Sequence, residues 1–265
     1  MACSKFEYVK HFEQHSTLLP NSHLVVRVDG HGFHRFTSVH NFTKPNDARG
    51  LDLMARAARA CMDAYPEITL AYGQSDEFSF VFKRATTLYK RREAKIVSTV
   101  ASLFTAEYMF RWNDCFPDTK MAYPPSFDAR AVCYPTDKNL RDYFSWRQAD
   151  CHINNLYNTA FWALVQDAKN PRTEREAQVI LKDTDSAAKN ELLFSSYGIN
   201  YNALPDMFRK GSVLYRKPSL VAEKSKADPS KEPTLRMRNL VCVEYRDIIG
   251  DAFWKENPSV LPPPE

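Results

Sequence analysis

Several features of common protein classes are missing from this sequence. No apolar run approaches the ~20 residues that a membrane-spanning helix needs, and the first residues contain no apolar signal region. The chain also has no internal repeat and no glycine-rich loop of the Walker type with its lysine. Its six cysteines form no C-x-x-C pair and no close Cys/His group. We therefore expect no zinc site and expect reduced thiols, as in an intracellular protein.

Length and composition indicate an ordinary globular protein. The 265 residues suit one large domain or two small ones, and 44% of them are hydrophobic. The formal net charge of +4 is only mildly basic, so composition alone does not indicate nucleic-acid binding. The positive charges are concentrated, however, between residues 83 and 95, where Glu93 is the single acid. This cluster, which includes Arg92 and Lys95, favours phosphate contacts; a solvated helix face is the alternative.

The first half of the chain predicts a recognisable order of elements. Residues 24–28, 69–72, 77–82 and 127–134 have strand patterns, whereas 46–65 and 96–108 have helical spacing. The order β-α-β-β-α-β is that of the ferredoxin-like split unit. We therefore predict an α+β protein with the layout of a polymerase or cyclase palm.

The predicted topology brings two acidic residues together. A right-handed crossover places the second strand parallel to the first with one position between them, and the third strand fills that position. Asp29, at the end of the first strand, would then lie beside Asp76, at the start of the third. Such a carboxylate pair can hold a hard divalent cation, although each residue alone could be a turn former. Glu77 is either a third ligand or a surface charge.

A glycine-containing segment follows Asp29. In the stretch 29–34, Gly30 and Gly32 allow close approach of the backbone to a ligand, and amides near a helix start can bind phosphates. We predict that Asp29 holds Mg²⁺ while these amides and His34 hold the triphosphate. His31 and His34 could instead bind zinc, but the nearby sequence offers no further ligand.

The second half of the chain is predicted to be mostly helical. We place a palm at residues 1–135 and a second region at 136–265, with helices over 140–196, a mobile loop at 217–234 and a small hairpin of 212–216 with 235–245. On a helix, His152, Asn155 and Thr159 share one face. This polar stripe predicts binding of phosphates or base edges; hydrogen bonds between helices are the alternative.

Five blocks of the sequence resemble the tRNA-histidine guanylyltransferase family. They are DGHGFHRF at 29–36, KPND at 44–47, AYGQSDEFSFVFKR at 71–84, WRQADCHINNLYN at 146–158 and KNELLFSSYGINYN at 189–202. The resemblance covers most of the chain outside 217–234 and the tail.

The resemblance implies a specific chemistry. In the family, ATP adenylylates the 5′-monophosphate of histidine tRNA, the 3′-hydroxyl of GTP attacks the activated end, and pyrophosphate is then removed. By position, Asp29 and Asp76 would be catalytic and, with the Gly30 carbonyl, would bind two Mg²⁺; Glu77 is an additional candidate ligand. The nucleotide would contact residues Asp29, Gly30, His31, Gly32, Phe33, His34, Ser75 and Asp76. The candidate tRNA or phosphate contacts are Lys44, Asp47, Arg92, Lys95, His152, Asn155 and Lys189.

The resemblance also implies a homotetramer, a dimer of dimers. Three rival functions remain: a nucleotide cyclase, a template-dependent 3′–5′ tRNA repair polymerase on the same palm, and a non-catalytic tRNA-binding protein. The Asp29/Asp76 pair argues against the binder, and a cyclase has no use for the 146–158 block. We expect a cytoplasmic protein and leave a nuclear location open.

Overall fold

A computed structural model of the chain describes residues 4–223 and 234–261, which form one six-stranded antiparallel sheet with helices on both faces. The strands are β1 (His23–His31), β2 (Ile68–Gln74), β3 (Glu77–Phe82), β4 (Ser126–Tyr134), β5 (Ser212–Glu223) and β6 (Thr234–Glu244). Their order across the sheet is β4-β1-β3-β2-β5-β6. Because β3 pairs antiparallel with both β1 and β2, those two strands are parallel with β3 between them. The predicted split βαβ arrangement is therefore confirmed.

The helices occupy the connections of this sheet and the region after β4. In chain order they are α1 (Phe33–Val39), α2 (Ala48–Ala64), α3 (Glu93–Phe110), α4 (Trp112–Cys115), α5 (Asp137–Val165), α6 (Glu174–Leu181), α7 (Ser186–Tyr197), α8 (Asp206–Lys210) and α9 (Ala252–Glu256). In the described part of the chain, none of these helices combines the length and the hydropathy needed to cross a bilayer.

Alternation along the central strands gives the sheet two buried faces. Val26 and Val28 of β1, with Phe78 and Phe80 of β3, face α2 and α3, whereas Val25 and Val81 point to the opposite face. The N-terminal half of α5 covers that opposite face through Tyr143 and Phe144, together with α9. Both faces are apolar because helices cover each of them.

The C-terminal half of α5 carries a separate helical cluster. Leu156, Ala160 and Leu164 of α5 pack against Ala177 of α6 and Leu193 of α7. The long helix thus connects the sheet to this cluster, and the second region is mostly helical, as predicted.

The C-terminal hairpin is longer than expected. β5 and β6 pair from Val213 with Glu244 as far as Glu223 with Thr234, so 217–223 are strand and not the predicted mobile loop. Residues 224–233 of that loop, and 262–265 of the tail, lie outside the described residues. The 217–223 segment was misread because its sequence, KPSLVAE, contains a proline and lacks polar–apolar alternation. Pro218 is tolerated because β2 pairs with β5 only as far as Tyr215.

Candidate active site at the ends of β1 and β3

The ends of β1 and β3 bring three acidic residues together. Asp29 and Glu77 are direct cross-strand partners, and the Gly30 amide donates a hydrogen bond to the Asp76 carbonyl over 3.0 Å. A Cβ on Gly30 would lie 2.4 Å from the Phe33 ring, so only glycine permits this approach. Asp29 and Asp76, 47 residues apart in the sequence, are therefore neighbours in the fold.

Asp76 sits in the two-residue turn between β2 and β3 and is largely buried. Burial raises the pKa of its carboxyl above the ordinary value, and the carboxylates of Asp29 and Glu77 raise it further, whereas the Ser75 hydroxyl lowers it by hydrogen bonding. Ser75 has a left-handed backbone, with φ of 50°. The site is thus a concentration of negative charge that a bound cation would stabilise.

Glu77 is not the surface charge that one sequence interpretation allowed. Its side chain is only 12% exposed and forms an ion pair with Arg147 of α5, with N–O distances of 3.2 and 3.4 Å. Burial raises the pKa of Glu77, while Arg147 and Arg27 oppose that shift. This carboxylate therefore has a fixed cationic partner in the protein.

The donors suited to a hard cation are the carboxylates of Asp29 and Asp76 and the carbonyl of Gly30. Oxygen ligands of this kind match Mg²⁺, which usually retains several waters and takes the rest of its ligands from one or two carboxylates and substrate phosphates. Within residues 4–223 and 234–261, no group of three or more His, Cys, Asp and Glu side chains is arranged to hold a metal. The donor set fits an ion shared between protein and nucleotide, not a closed protein cage.

The glycine segment forms the start of α1. Gly32 caps this helix with a left-handed backbone, φ 64°. His31 and His34 are exposed, whereas Phe33 is buried against Tyr108 and Phe127. The side chain of Phe33 therefore belongs to the core, and a nucleotide contact at this position would come from the backbone.

A cavity of about 600 Å³ opens beside Asp76 and Glu77, which line it, whereas Asp29 and Gly30 lie outside its lining. Its size is in the range of ligand pockets for molecules such as nucleotides. It is lined by residues of the segment before α2, of the β2–β3 turn, of α5 and of α6, including His34, Lys44, Asn46, Asp47, Ser75, Asp76, Asn155 and Trp162. Gln74, Asp150, Asn154 and Asn158 also line it and were missed from the sequence. Asn154 and Asn158 could have been found, because they are four residues apart and share a helical face.

Lys44 and Asp47 have protein partners at this cavity. The Lys44 ammonium donates to the Thr37 hydroxyl at 3.1 Å and lies 5.8 Å from the centre of the Trp162 ring. Burial lowers the pKa of Lys44, and Glu174 partly opposes this. The Asp47 carboxylate caps α2 and accepts hydrogen bonds from Arg49 and from the Thr43 amide. The sequence predicts an Asn or Asp cap before this helix, and the structure identifies that cap as Asp47.

The polar stripe of α5 is divided between surface and interior. Asn155 is buried, accepts from Asn46 and donates to the Tyr201 hydroxyl. His152 is exposed, with Nδ1 3.3 Å from that hydroxyl, and burial of the ring, followed by the charge of Arg209, lowers its pKa. The interhelical alternative therefore describes Asn155, and the RNA contact of His152 stays a prediction.

The remaining candidates lie outside the lining of the cavity, as do His31, Gly32 and His152. Lys189 donates to the Thr184 carbonyl at 2.6 Å, near the start of α7. Arg92 and Lys95 lie at the start of α3, where Arg92 is half-buried and Lys95 exposed. Their neighbour Arg91 is buried and donates to backbone carbonyls including that of Leu18, so part of the basic cluster is structural.

Comparisons with known proteins show the family to which the chain belongs. The family model described as tRNAHis guanylyltransferase matches residues 6–135, and that described as Thg1 C terminal domain matches 138–250. The chain is 51% identical to the tRNA(His) guanylyltransferase of Neurospora crassa, with 98% of this chain and 96% of that protein covered. It is also 51% identical to the probable tRNA(His) guanylyltransferase of Homo sapiens, covering 98% and 89%.

Solved structures show the same fold. The crystal structure of the enzyme from Saccharomyces cerevisiae matches with a TM-score of 0.76 and 44% identity, over 80% of this chain and 93% of that one. A bacterial Thg1-like protein in complex with ATP matches with a TM-score of 0.73 over 97% and 99%, and its 23% identity supports the fold alone. Family models and relatives together cover nearly the whole chain. The chain belongs to the tRNA(His) guanylyltransferase family of nucleotidyltransferases.

Proposed function

We propose that this protein adds a guanosine to the 5′ end of histidine tRNA, using ATP and GTP. The observation that carries the proposal is the meeting of Asp29, Gly30 and Asp76 beside a nucleotide-sized cavity. Relatives about half identical over 98% of the chain are named for this activity.

The proposed reaction is two nucleotidyl transfers and one hydrolysis. An oxygen of the tRNA 5′-monophosphate attacks the α-phosphorus of ATP and pyrophosphate leaves. The 3′-hydroxyl of GTP then attacks the tRNA 5′-phosphorus and AMP leaves. Water finally removes pyrophosphate from the added nucleotide. Both transfers are phosphoryl chemistry, so a single set of carboxylates can serve them.

The chain's own residues have defined tasks in this scheme. Asp29, Asp76 and the Gly30 carbonyl would hold two Mg²⁺; the ions would stabilise the pyrophosphate that leaves in the first transfer and would lower the pKa of the GTP 3′-hydroxyl that attacks in the second. The backbone of 30–34, with His34 and Ser75, would orient the triphosphate. Lys44, which lines the cavity, and the exposed His152 of α5 are proposed to contact the RNA or its phosphates.

Two further proposals concern the whole protein. We propose a homotetramer, supported by exposed aromatic side chains such as Phe6, Phe12 and Phe110, which light scattering would test. A cytoplasmic location, with the nucleus left open, is proposed from the tRNA substrate and is tested by fractionation.

The activity test uses Mg²⁺, ATP, labelled GTP and 5′-monophosphorylated histidine tRNA. We expect Asp29→Asn and Asp76→Asn each to slow both transfers by on the order of 10²-fold or more, because each variant removes a charge that holds the metal. Asp142→Asn is the matched control, since this exposed carboxylate pairs only with Lys138 among the ion pairs of the described chain. Near-normal rates in either site variant would contradict the proposal.

The rival functions give different products in the same assay. A cyclase would convert ATP or GTP to a cyclic product without RNA. A repair polymerase would prefer 5′-truncated tRNAs and would add whichever nucleotide the opposite strand specifies. A non-catalytic binder would retain tRNA without extending it.

A further inference from the structure

Arg147 of α5 is an almost fully enclosed charge beside the site. Its side chain is 7% exposed, its Nη1 contacts both oxygens of Glu77, and Asp150 lies 3.6 Å away. The guanidinium also stacks on Trp146, 3.4 Å from the ring centre. The contact of Nη1 with both Glu77 oxygens and the stacking on the Trp146 ring together restrict the orientation of the guanidinium.

The Glu77–Arg147 ion pair lies directly beside the turn that carries Asp76. Glu77 directly follows Asp76, and its strand partner is Asp29. Gln74, at the other end of the two-residue turn, donates towards Glu77 at 3.5 Å and towards Asp150 at 3.4 Å. Both ends of the turn that carries Asp76 are therefore attached to α5.

The attachment of this turn to α5 matters because the site concentrates negative charge. Three carboxylates lie close together at the ends of β1 and β3, and their mutual repulsion favours a Glu77 side chain turned away from the other two. Arg147 compensates Glu77 and draws its side chain towards α5, which leaves Asp29 and Asp76 as the pair that faces an incoming cation. A ligand held in place by such outer contacts binds metal more tightly.

We propose that Arg147 of α5 is a positioning residue. Through Glu77 it fixes the turn that carries Asp76, and in this way it raises the affinity of the palm for a divalent metal ion. The proposal rests on the proposed function, because it assumes the metal site at Asp29 and Asp76. Its purely structural competitor is that Arg147 only anchors α5 to the sheet. The two differ in whether metal affinity changes beyond any change in stability.

The chain offers a closely matched control on the same helix. Arg141 of α5 pairs with Asp251 and lies 5.5 Å from the centre of the Trp254 ring. Arg141→Met thus removes an ion pair and a ring contact from α5, as Arg147→Met does, but away from the carboxylates. The comparison separates loss of helix anchoring from loss of positioning.

The experiment measures Mn²⁺ binding by electron paramagnetic resonance on the full-length protein, with thermal unfolding of the same samples. We expect Arg147→Met to weaken Mn²⁺ binding by roughly 10–100-fold, Arg147→Lys to recover part of that loss, and Arg141→Met to bind as wild type does. Combining Glu77→Gln with Arg147→Met should weaken binding no further than the larger single effect, because the two side chains act as one unit.

Each other outcome has a defined meaning. Unchanged or tighter Mn²⁺ binding in Arg147→Met, with the folded state intact, would overturn the positioning role and favour a freed Glu77 as a third ligand. An equal loss in Arg141→Met would reduce Arg147 to an anchor of α5. Asp76→Asn is included as a separate reference. If that variant kept full Mn²⁺ affinity, the metal site of the proposed function itself would be wrong.

Discussion

At the residue scale, Asn155 shows how a polar side chain can be required inside a helical interface. It is 5% exposed, and its amide bonds to the Tyr201 hydroxyl at 3.1 Å while its oxygen accepts from Asn46 at 2.8 Å. These contacts join α5 to the segments before α2 and after α7. Because Asn155 and Tyr201 are both buried, truncation of Asn155 removes hydrogen bonds that water cannot readily replace.

Asn155→Ala is therefore expected to lower the free energy of unfolding by about 1–3 kcal/mol. Urea denaturation monitored by tryptophan fluorescence measures the change. Asn154→Ala is the control, since Asn154 is the exposed neighbour on the same turn, and it should change stability by less than ~0.5 kcal/mol. Equal effects of the two substitutions would show that the buried contacts of Asn155 contribute nothing special.

Individual site residues could be predicted from the sequence where local pattern and topology sufficed. Asp29 and Asp76 each end or begin a strand, and the order of elements dictates that those strands are adjacent. The Glu77–Arg147 pair could not be predicted, because its members are 70 residues apart and meet only through the rotation of α5 over the sheet. Periodicity shows that a helix has an inner face, but not which strand residue that face touches.

At the element scale, the start of α2 depends on one carboxylate. Asp47 accepts from the Arg49 amide at 3.0 Å and from the Thr43 amide at 2.9 Å, so it satisfies backbone donors that the first turn leaves unpaired. α2 crosses the sheet with Leu53, Ala57 and Cys61 buried beneath it. The cap thus determines where a core helix begins, next to the cavity.

Replacing Asp47 by Ala should lower the free energy of unfolding by about 0.5–2 kcal/mol, with a pH dependence that identifies the charge. Burial raises the pKa of Asp47, but hydrogen bonds and the charge of Arg49 outweigh burial and hold it below the ordinary value. A lowered pKa in the folded state stabilises the protein above the unfolded-state pKa, and this contribution is lost as the pH falls through the folded-state pKa.

Asp47→Asn separates the charge from the cap, because asparagine also caps helices. Chemical denaturation from pH 7 down to the acid limit should show wild type more stable at neutral pH, with the difference shrinking as Asp47 becomes protonated. A difference that is constant with pH, or that grows towards acid, would contradict the assignment.

Two elements show why the remainder of the fold was less predictable. The outer part of the β5–β6 ribbon is stabilised by backbone pairing from Lys217 with Leu240 as far as Glu223 with Thr234, although the β5 sequence there has no regular polar–apolar alternation. The sheet position of this hairpin, beside β2, depends on contacts such as that of the Tyr72 hydroxyl with the Lys210 carbonyl. Such contacts join segments 138 residues apart and leave no trace in a local pattern.

At the scale of the whole molecule, the net positive charge is small, but the basic side chains are unevenly distributed. The net charge is only +4, yet basic side chains collect between β3 and the first turn of α3. The Arg91 guanidinium donates hydrogen bonds to backbone carbonyls of the segment before β1 and so joins that segment to this region. Of its neighbours, Lys95 is exposed and Arg92 is half-buried. A polyanion would be attracted to this part of the surface more strongly than composition suggests.

Neutralising Arg92 and Lys95 to glutamine should weaken binding of all tRNAs alike and flatten the dependence of log K on log salt. Each lost phosphate contact changes that slope by about 0.7–0.9, because fewer counterions are released. Filter binding with several tRNAs between low and physiological salt measures it. Glutamine at Lys138 and Lys255, exposed lysines paired with acids on their own helices, removes the same charge and should leave the slope unchanged. If the Arg92/Lys95 variant also kept the wild-type slope, these residues would form a solvated face with no phosphate in contact.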